Sequence, residues 1–538
     1  MCTTKYDFDY DVIIIGGGIA GLSAALNIIE RDQMLSVLIL EATDSIGGRA
    51  KPIPIECKSN VSTFDSGGHF VSRRQTHLMN LLKRLDMEVV DYNFYGDSLT
   101  EIDTDRVLKS QRSFLMVGSD NEKDELVCFY KKLGDLCKNV SMENPMGSVE
   151  SERLDSISME EFILNELDSE VTRQHFRNIV RTTCGSEPVD VTPLFYLAYC
   201  NSAEGVLGAH LRVVNGGRQS YVNGGIHYLI EKMVEIIGEN RIIINNPVLE
   251  ITRSDQEVII CAIKKTLRCR CCIISVPPSK LLEIKFKPPL NPGKLKVLRE
   301  MQGKTWIRFI ATYKEPFWEK KELNGDVFIN TKRAVKIVLN VSVPNCHVLT
   351  GLVDVQQFQE DFSNHDLEVL QQLSEYFGEE ALDPLDYIER SWPESSQESA
   401  MCCNPSKLGI MKDFHEIRRP IGRLFFAGSE TATYWYGHIS GAIQTGLRAA
   451  MEVLFEIRPQ VLCYEDIAEL IPRRKMVSYY KEAMEMKVPA KIINFGWLER
   501  TATGIIGTTG AKCISTACNH FFVCDPNDTK VRSNSNKH

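Results

Sequence analysis

The stretch from Asp11 to Glu30, DVIIIGGGIAGLSAALNIIE, restricts the possible folds more than any other part of the chain. Val12 to Ile15 is a short continuous β-branched run, the pattern of a strand buried on both faces. Gly16, Gly18 and Gly21 then match G-x-G-x-x-G, and Leu22 to Ile29 carries apolar residues at helical spacing. A strand that turns tightly into a helix brings bare backbone N–H groups and the positive helix end up to a pyrophosphate. A second buried strand, Val37-Leu-Ile-Leu40, ends in Glu41, twenty residues beyond Gly21, where a carboxylate can accept from both hydroxyls of a ribose. The prediction is an α/β chain built on a Rossmann-type dinucleotide site.

Two further stretches bear on which dinucleotide. Ser45-Ile-Gly-Gly-Arg49 follows Glu41 directly, so Gly48 and Arg49 offer more backbone and a cation to the same diphosphate. Far downstream, Gly422-Arg-Leu-Phe-Phe-Ala-Gly-Ser-Glu430 repeats the design of apolar strand, glycine and acid, and Gly437 to Gly446 opens a helix that runs to about Ile457. Two backbone-rich sites suit a long cofactor clamped at both ends, which favours FAD over NAD. Any one of these glycines could equally serve only to let a strand and a helix pack closely.

The remaining composition excludes more than it specifies. At 538 residues, with 43% hydrophobic and 25% charged, the chain is too long for one core. Its net charge of −9 comes without a basic run, which excludes nucleic acid as a partner. The leader MCTTKYDFDY has neither an apolar stretch nor a small-residue cleavage site, so a reducing compartment is expected. The 17 cysteines, odd in number and irregularly spaced, are then expected as thiols. Cys269-Arg-Cys-Cys272 lies in an apolar run that reads as a buried strand, and no metal site is expected.

GGGIAGL, LEATDSIGGRA, Asp65-Ser-Gly-Gly68, Asn215-Gly-Gly217, Tyr313-Lys-Glu-Pro-Phe-Trp318 and LFFAGSETAT together resemble the FAD-dependent amine oxidases, the monoamine oxidase branch above all. The resemblance runs from Asp11 to Arg500. It implies a discontinuous FAD domain (8–85, 223–295 and 395–457), an inserted α+β substrate domain (86–222 and 296–394) and a C-terminal helical tail (458–538). It implies oxidation of an amine C–N bond, with hydride passing to the flavin and O₂ reoxidising it to give peroxide. Position by position, Glu41 falls on the adenosine ribose and Gly16, Gly18, Gly21, Gly48 and Arg49 around the diphosphate. Val248 would meet the adenine through its backbone, Gly428 and Glu430 the ribityl and phosphate groups, and Ile439 the flavin ring.

The chemistry departs from that pattern at three places, each a candidate catalytic residue. In the family, a cysteine nine residues after a tryptophan and eight before a glycine binds the flavin covalently; counted from Trp392 and Gly409, this place is Met401, with Cys402 one residue off, so non-covalent FAD is expected. Cys402 and His438 stand where the resemblance implies two tyrosines forming an aromatic cage around the amine. Arg308 stands where it implies a lysine bonded through water to the flavin and assisting its reaction with O₂; a guanidinium is bulkier, planar and never deprotonated. Arg218, outside those three, stands where the resemblance implies a neutral glutamine lining the substrate cavity, and a cation there would disfavour a protonated amine. The alternatives are a flavoprotein that has lost turnover and serves as a scaffold, and a polyamine oxidase.

Residues 86–222 show amphipathic helical patterns with Pro188 and Pro193 as breakers, predicting a helical cap over a sheet. Thr501 to Cys524 occupies the place of the family's membrane anchor, yet Lys512 at its centre costs about 2.5–3.5 kcal/mol, which makes insertion marginal. A mitochondrial outer-membrane location, a weak anchor in the tail and a homodimer rest on the resemblance; otherwise the protein is expected in the cytoplasm.

Overall fold

The computed structural model describes residues 8–58, 60–92, 95–103, 105–110, 118–209, 220–302, 306–354, 365–392, 404–463 and 466. The chain divides into units of residues 1–461 and 462–538, and both large sheets lie in the first. Cys402, Cys403, Arg218 and the Thr501–Cys524 stretch lie outside the described residues.

Val12 to Ile15 form the end of the strand Tyr10–Ile15, fully enclosed as their β-branched run requires. This strand sits between Val37–Leu40 and Thr266–Ile274, parallel to both, in an eight-stranded sheet. Leu424–Phe426 adds to the far half of Thr266–Ile274, again parallel, while Val258–Ala262 pairs antiparallel with its near half. Cys269, Cys271 and Cys272 lie inside that shared strand, and burial holds their thiols up. The helices Ile19–Arg31 and Ile439–Ile457 cover one face together. They approach closely at Gly446, where a Cβ would stand 2.3 Å from the Ala20 carbonyl oxygen, and Ser23 Oγ donates to the Ile443 carbonyl at 3.0 Å. The fold class is therefore α/β with a Rossmann-type sheet.

A second sheet of seven strands runs Asp386–Ser391, Trp306–Tyr313, His347–Asp354, Val335–Asn340, Leu323–Ile329, Asp97–Asp103, Arg106–Ser110. The last two come from the segment read as a helical cap, so the amphipathic pattern described only part of it. The cap itself follows the signals: Ser119 makes a reciprocal capping box with Glu122, and Thr192 caps Pro193–Ser202 with proline at the first turn.

One expectation fails. Cys57 and Cys346 form a disulfide with Cα atoms 5.1 Å apart, although thiols were expected throughout; the other cysteines among the described residues are thiols. The partners are 289 residues apart, and only the docking of the hairpin Pro52–Glu56/Val61–Asp65 on the second sheet brings them together. Thr312 Oγ1 donates to the Glu56 carbonyl at 2.7 Å across that junction. Both sulfurs lie within the apolar cluster of Ile55, Phe64, Leu339 and Val348.

Candidate active site

Four parallel strands end level with one another, since Ile15 is in register with Leu40 and Ile274, and Ile274 with Phe426. The loops that leave these ends converge on one cavity of about 490 Å³, the place where open α/β sheets bind their ligands. Gly16 and Gly18, Glu41 to Thr43, Gly47 to Arg49, Ser275 to Pro277 and Gly428 to Ser429 all reach its wall. The second sheet closes the other side with Arg308, Ile337, Leu339, Thr350 and Leu352, and the helical cap adds Thr183 and Tyr199.

The glycines divide by what a side chain would meet. A Cβ on Gly18 would meet nothing within 4 Å, and on Gly428 only Glu430 Oε2 at 3.7 Å, so both backbones face open space. Gly16 and Gly21 instead pack: a Cβ on Gly21 would lie 2.0 Å from the Gly16 carbonyl oxygen, and Gly21 is not on the wall. Gly18 caps the helix Ile19–Arg31 without a side-chain bond, which leaves the first helix amides for an anion. Glu41 is buried, its Oε2 accepting from Gly17 N at 2.7 Å and its Oε1 from Thr43 N at 2.8 Å. Val248 lines the cavity beside it, where Asn246 N donates to the Glu41 carbonyl at 2.9 Å.

Arg49 and Glu430 do not act singly. Arg49 Nη1 lies 2.5 Å from Glu430 Oε1 and Nη2 lies 3.0 Å from Oε2, a bidentate pair between residues 381 apart. Burial would raise the Glu430 pKa, but the Arg49 charge and hydrogen bonds hold it below the usual range. Arg49 borders the cavity while Glu430 stands behind it as a brace.

Arg308 is buried on the wall, and its guanidinium reaches backbone carbonyls and a hydroxyl. Its Nη1 reaches the carbonyls of Ser66 at 3.0 Å and Gly67 at 2.7 Å, with Asp65 at 3.3 Å, and its Nε donates to Thr350 Oγ1 at 3.0 Å. The turn it holds leads to His69 and half-buried Phe70, both on the wall. Beneath it, Asp65 accepts from the amides of Ile226 and His227 and from His227 Nδ1 at 3.1 Å. Burial opposes ionisation of Asp65, yet the bonds from His227 and His69 push its pKa well down.

His438 caps the helix Ile439–Ile457 and faces the cavity, as does Ile439. Its Nδ1 lies 2.8 Å from the Tyr436 carbonyl, and its ring stands 5.3 Å from Trp435 and 5.9 Å from Tyr199. Trp435 holds φ +51°, a left-handed conformation that costs an indole residue about 1–3 kcal/mol. Trp435 N and Tyr436 N bond to Ser202 at the end of the cap helix, which holds the turn in place. Tyr199, Thr183, Phe70 and Thr350 were not singled out by sequence; no motif or period marks them, because each faces the cavity from a different element.

The comparisons with known proteins agree with this geometry. The family model described as flavin containing amine oxidoreductase matches residues 19–454. The chain belongs to the flavin-containing amine oxidoreductases. The horse flavin-containing amine oxidase A is 28% identical over 455 residues, spanning 83% of this chain and 85% of that one. The human amine oxidase B is 26% identical over 535 residues, with 97% and 99% covered. Among solved structures, cyclohexylamine oxidase from Brevibacterium oxydans IH-35A superposes with a TM-score of 0.77 at 25% identity, over 84% of this chain and 99% of that one. Putrescine oxidase bound to putrescine gives 0.76 at 24%, which speaks for the fold alone.

This flavin amine oxidase uses FAD and acts on small amines with O₂. The cavity fits the cofactor: the open backbone at Gly18 and Gly428 provides room for phosphates, and the buried Glu41 carboxylate is an acceptor for a ribose. Among the described residues no group of His, Cys, Asp and Glu is placed to hold a metal, and no helix is long and apolar enough to cross a membrane.

Proposed function

We propose that this enzyme oxidises monoamines with an apolar substituent, in a site whose cage is rebuilt around His438. The observation that carries this reading is the wall near His438 and Arg308: Phe70, Thr183, Tyr199, Leu339, Leu352 and Trp392, with no carboxylate among its described residues. The two acids elsewhere on the wall are engaged, Glu41 with Gly17 and Thr43, and Glu283 with Lys280 Nζ at 2.6 Å. Among the described residues a second ammonium therefore finds no unengaged carboxylate there, which speaks against a polyamine.

FAD, when bound, accepts hydride from the amine carbon and passes the electrons to O₂ as peroxide. The chain supplies the rest. Gly16, Gly18, Gly48 and Arg49 hold the diphosphate region, Glu41 the ribose, Val248 the adenine, and Gly428 and Ile439 the flavin end, with Glu430 fixing Arg49. Arg308 holds the 65–67 turn against the flavin site, and the flavin is held non-covalently because Met401 takes the place of the family's attaching cysteine, with Cys402 one residue off. Residues 8–85, 223–295 and 395–457 form the cofactor domain and 86–222 with 296–394 the substrate domain, supported by the membership of the two sheets. Attachment to the mitochondrial outer membrane through the 458–538 tail and homodimer formation follow by resemblance.

Peroxide release from purified protein is the test, across cyclohexylamine, benzylamine and putrescine. Turnover of the two monoamines and not of putrescine is expected. Preference for putrescine overturns the substrate reading, and full flavin content without peroxide from any amine favours the scaffold reading instead.

A further inference from the structure

We propose that the Cys57–Cys346 disulfide is a reversible clamp on the wall of the cofactor site, closed by the peroxide that the enzyme itself releases. The source of the peroxide rests on the amine reading above. The clamp rests on how the two cysteines join the wall. The hairpin Pro52–Glu56/Val61–Asp65 leaves the cavity at Arg49 and Ala50 and returns to it at Gly67 and Gly68, and Cys57 directly follows its first strand. Cys346 lies in the turn between the strands Val335–Asn340 and His347–Asp354, where Val343 and Cys346 exchange both backbone hydrogen bonds at 3.0 Å. Those two strands bring Ile337, Leu339 and Leu352 to the same cavity, and all three share one apolar cluster with both cysteines. The bond therefore ties together two pieces of chain that each form part of the wall.

With the bond open, the hairpin still has polar ties to the second sheet. Thr312 Oγ1 donates to the Glu56 carbonyl at 2.7 Å, Glu56 N donates to Asp386 Oδ2 at 3.0 Å, and Arg308 Nη1 reaches the carbonyls of Ser66 and Gly67. Ile55 and Phe64 remain in the apolar cluster. The two thiols therefore stay in place in a folded protein, and the bond can form again. What is lost is the covalent limit on local opening, which hydrogen bonds and one apolar cluster oppose far less firmly. A flavin held without a covalent link depends on walls that stay closed, so its escape should follow the state of these two sulfurs.

Closing the pair takes an oxidant, and amine oxidation supplies one in hydrogen peroxide. Both cysteines are buried, yet each adjoins exposed chain, Lys58 and Asn60 on one side and Pro344 and Asn345 on the other, so a molecule little larger than water reaches them after a small movement. Lys58 follows Cys57 directly, and a cation there favours the thiolate. The Cys57 thiolate attacks one peroxide oxygen, the O–O bond breaks, one water leaves after protonation, and Cys57 carries a sulfenic acid. The Cys346 sulfur then attacks that of Cys57; the S–O bond breaks, the S–S bond forms and a second water leaves. In sum two thiols and one peroxide give one disulfide and two waters, with both sulfurs oxidised and both oxygens reduced. A dithiol reductant reverses the step by exchange and itself becomes a disulfide.

The test starts from holoenzyme treated with dithiothreitol and desalted without air, its thiols located by differential alkylation and peptide mass. Cys57 and Cys346 should both be alkylated while the protein stays folded. Flavin release after dilution, followed by fluorescence, should then be on the order of tenfold faster than from the disulfide form. Hydrogen peroxide added without amine should restore the bond and the slow release. Cyclohexylamine in air should do the same, whereas air alone over the same time should not. Cys57→Ser and Cys346→Ser should release flavin at the fast rate with or without reductant; if either fails to fold, reduced wild type carries the same comparison. Equal release from the two forms, or a bond that dithiothreitol opens only in unfolded protein, overturns the clamp. Peroxide accumulating from the amine while both thiols stay open overturns its source and leaves an oxidising compartment as what closes the pair. Closure by added peroxide, with none produced from any amine, upholds the clamp and counts against the amine reading instead.

Discussion

The two ends of the cavity are built by opposite means. Around Gly18 and Gly428 the wall is main chain, supplied by loops that each follow directly from a strand of one parallel sheet. Around His438 it is side chain, contributed by the second sheet, the helical cap and the turn at Trp435. A backbone cradle tolerates almost any side chain pointing away from it and fails only when its glycines are changed. A side-chain wall can be rebuilt residue by residue while the fold beneath it stays intact, which is how His438 and Arg308 come to occupy it without disturbing the sheet.

The contrast is sharpest between two glycines of one motif. Gly21→Ala places a methyl 2.0 Å from the Gly16 carbonyl, so the helix must leave the strand. The expected outcome is insoluble protein, or a loss of at least about 3 kcal/mol in a urea melt. Gly18→Val, with open space above its Cβ, should fold yet purify colourless, because the branched side chain fills the cradle. Absorbance of the visible flavin band distinguishes the two, and full flavin in Gly18→Val removes the basis for the cradle.

Next in size is the brace behind the cradle. Arg49→Met leaves Glu430 buried without its cation and should cost about 3–5 kcal/mol. Glu430 and Asp65 both have carboxyl pKa values below the usual range, so their contribution is present above the unfolded carboxylate pKa and is lost as pH falls through the lowered folded values. Stability should therefore drop below about pH 4, and Glu430→Gln should flatten that drop while lowering stability at neutral pH. An unchanged acid limb in Glu430→Gln would show that other carboxylates govern it.

The smallest effect is expected at the side-chain end. Arg308→Lys replaces a fork that reaches backbone carbonyls and Thr350 with a single ammonium that can hold one set only. The cost should be about 1–2 kcal/mol, with flavin content unchanged. Loss of flavin in this variant would mean that Arg308 belongs to the cradle after all, and the division between the two ends would have to be redrawn.

Much of this protein is legible in its sequence. The strand Tyr10–Ile15, its glycine turn, Glu41 and the second glycine site at Gly428 are local patterns, in which a β-branched run, a turn residue and a helix period each act within a few positions. The exceptions inside those motifs, Gly21 as a packing residue and Glu430 as a brace for Arg49, needed the neighbours that only folding supplies. Arg308 and His438 could be recognised as departures from a family pattern, but not what they touch: the carbonyls of 65–67 and of Tyr436 that lie against them leave no mark on a sequence, since every residue has one. The Cys57–Cys346 disulfide and the wall formed by Phe70, Thr183 and Tyr199 belong to the same class. Local chain stiffness and apolar period determined the elements and the glycine turns; which distant side chains meet around the cavity was decided by how the two sheets and the helical cap close on one another.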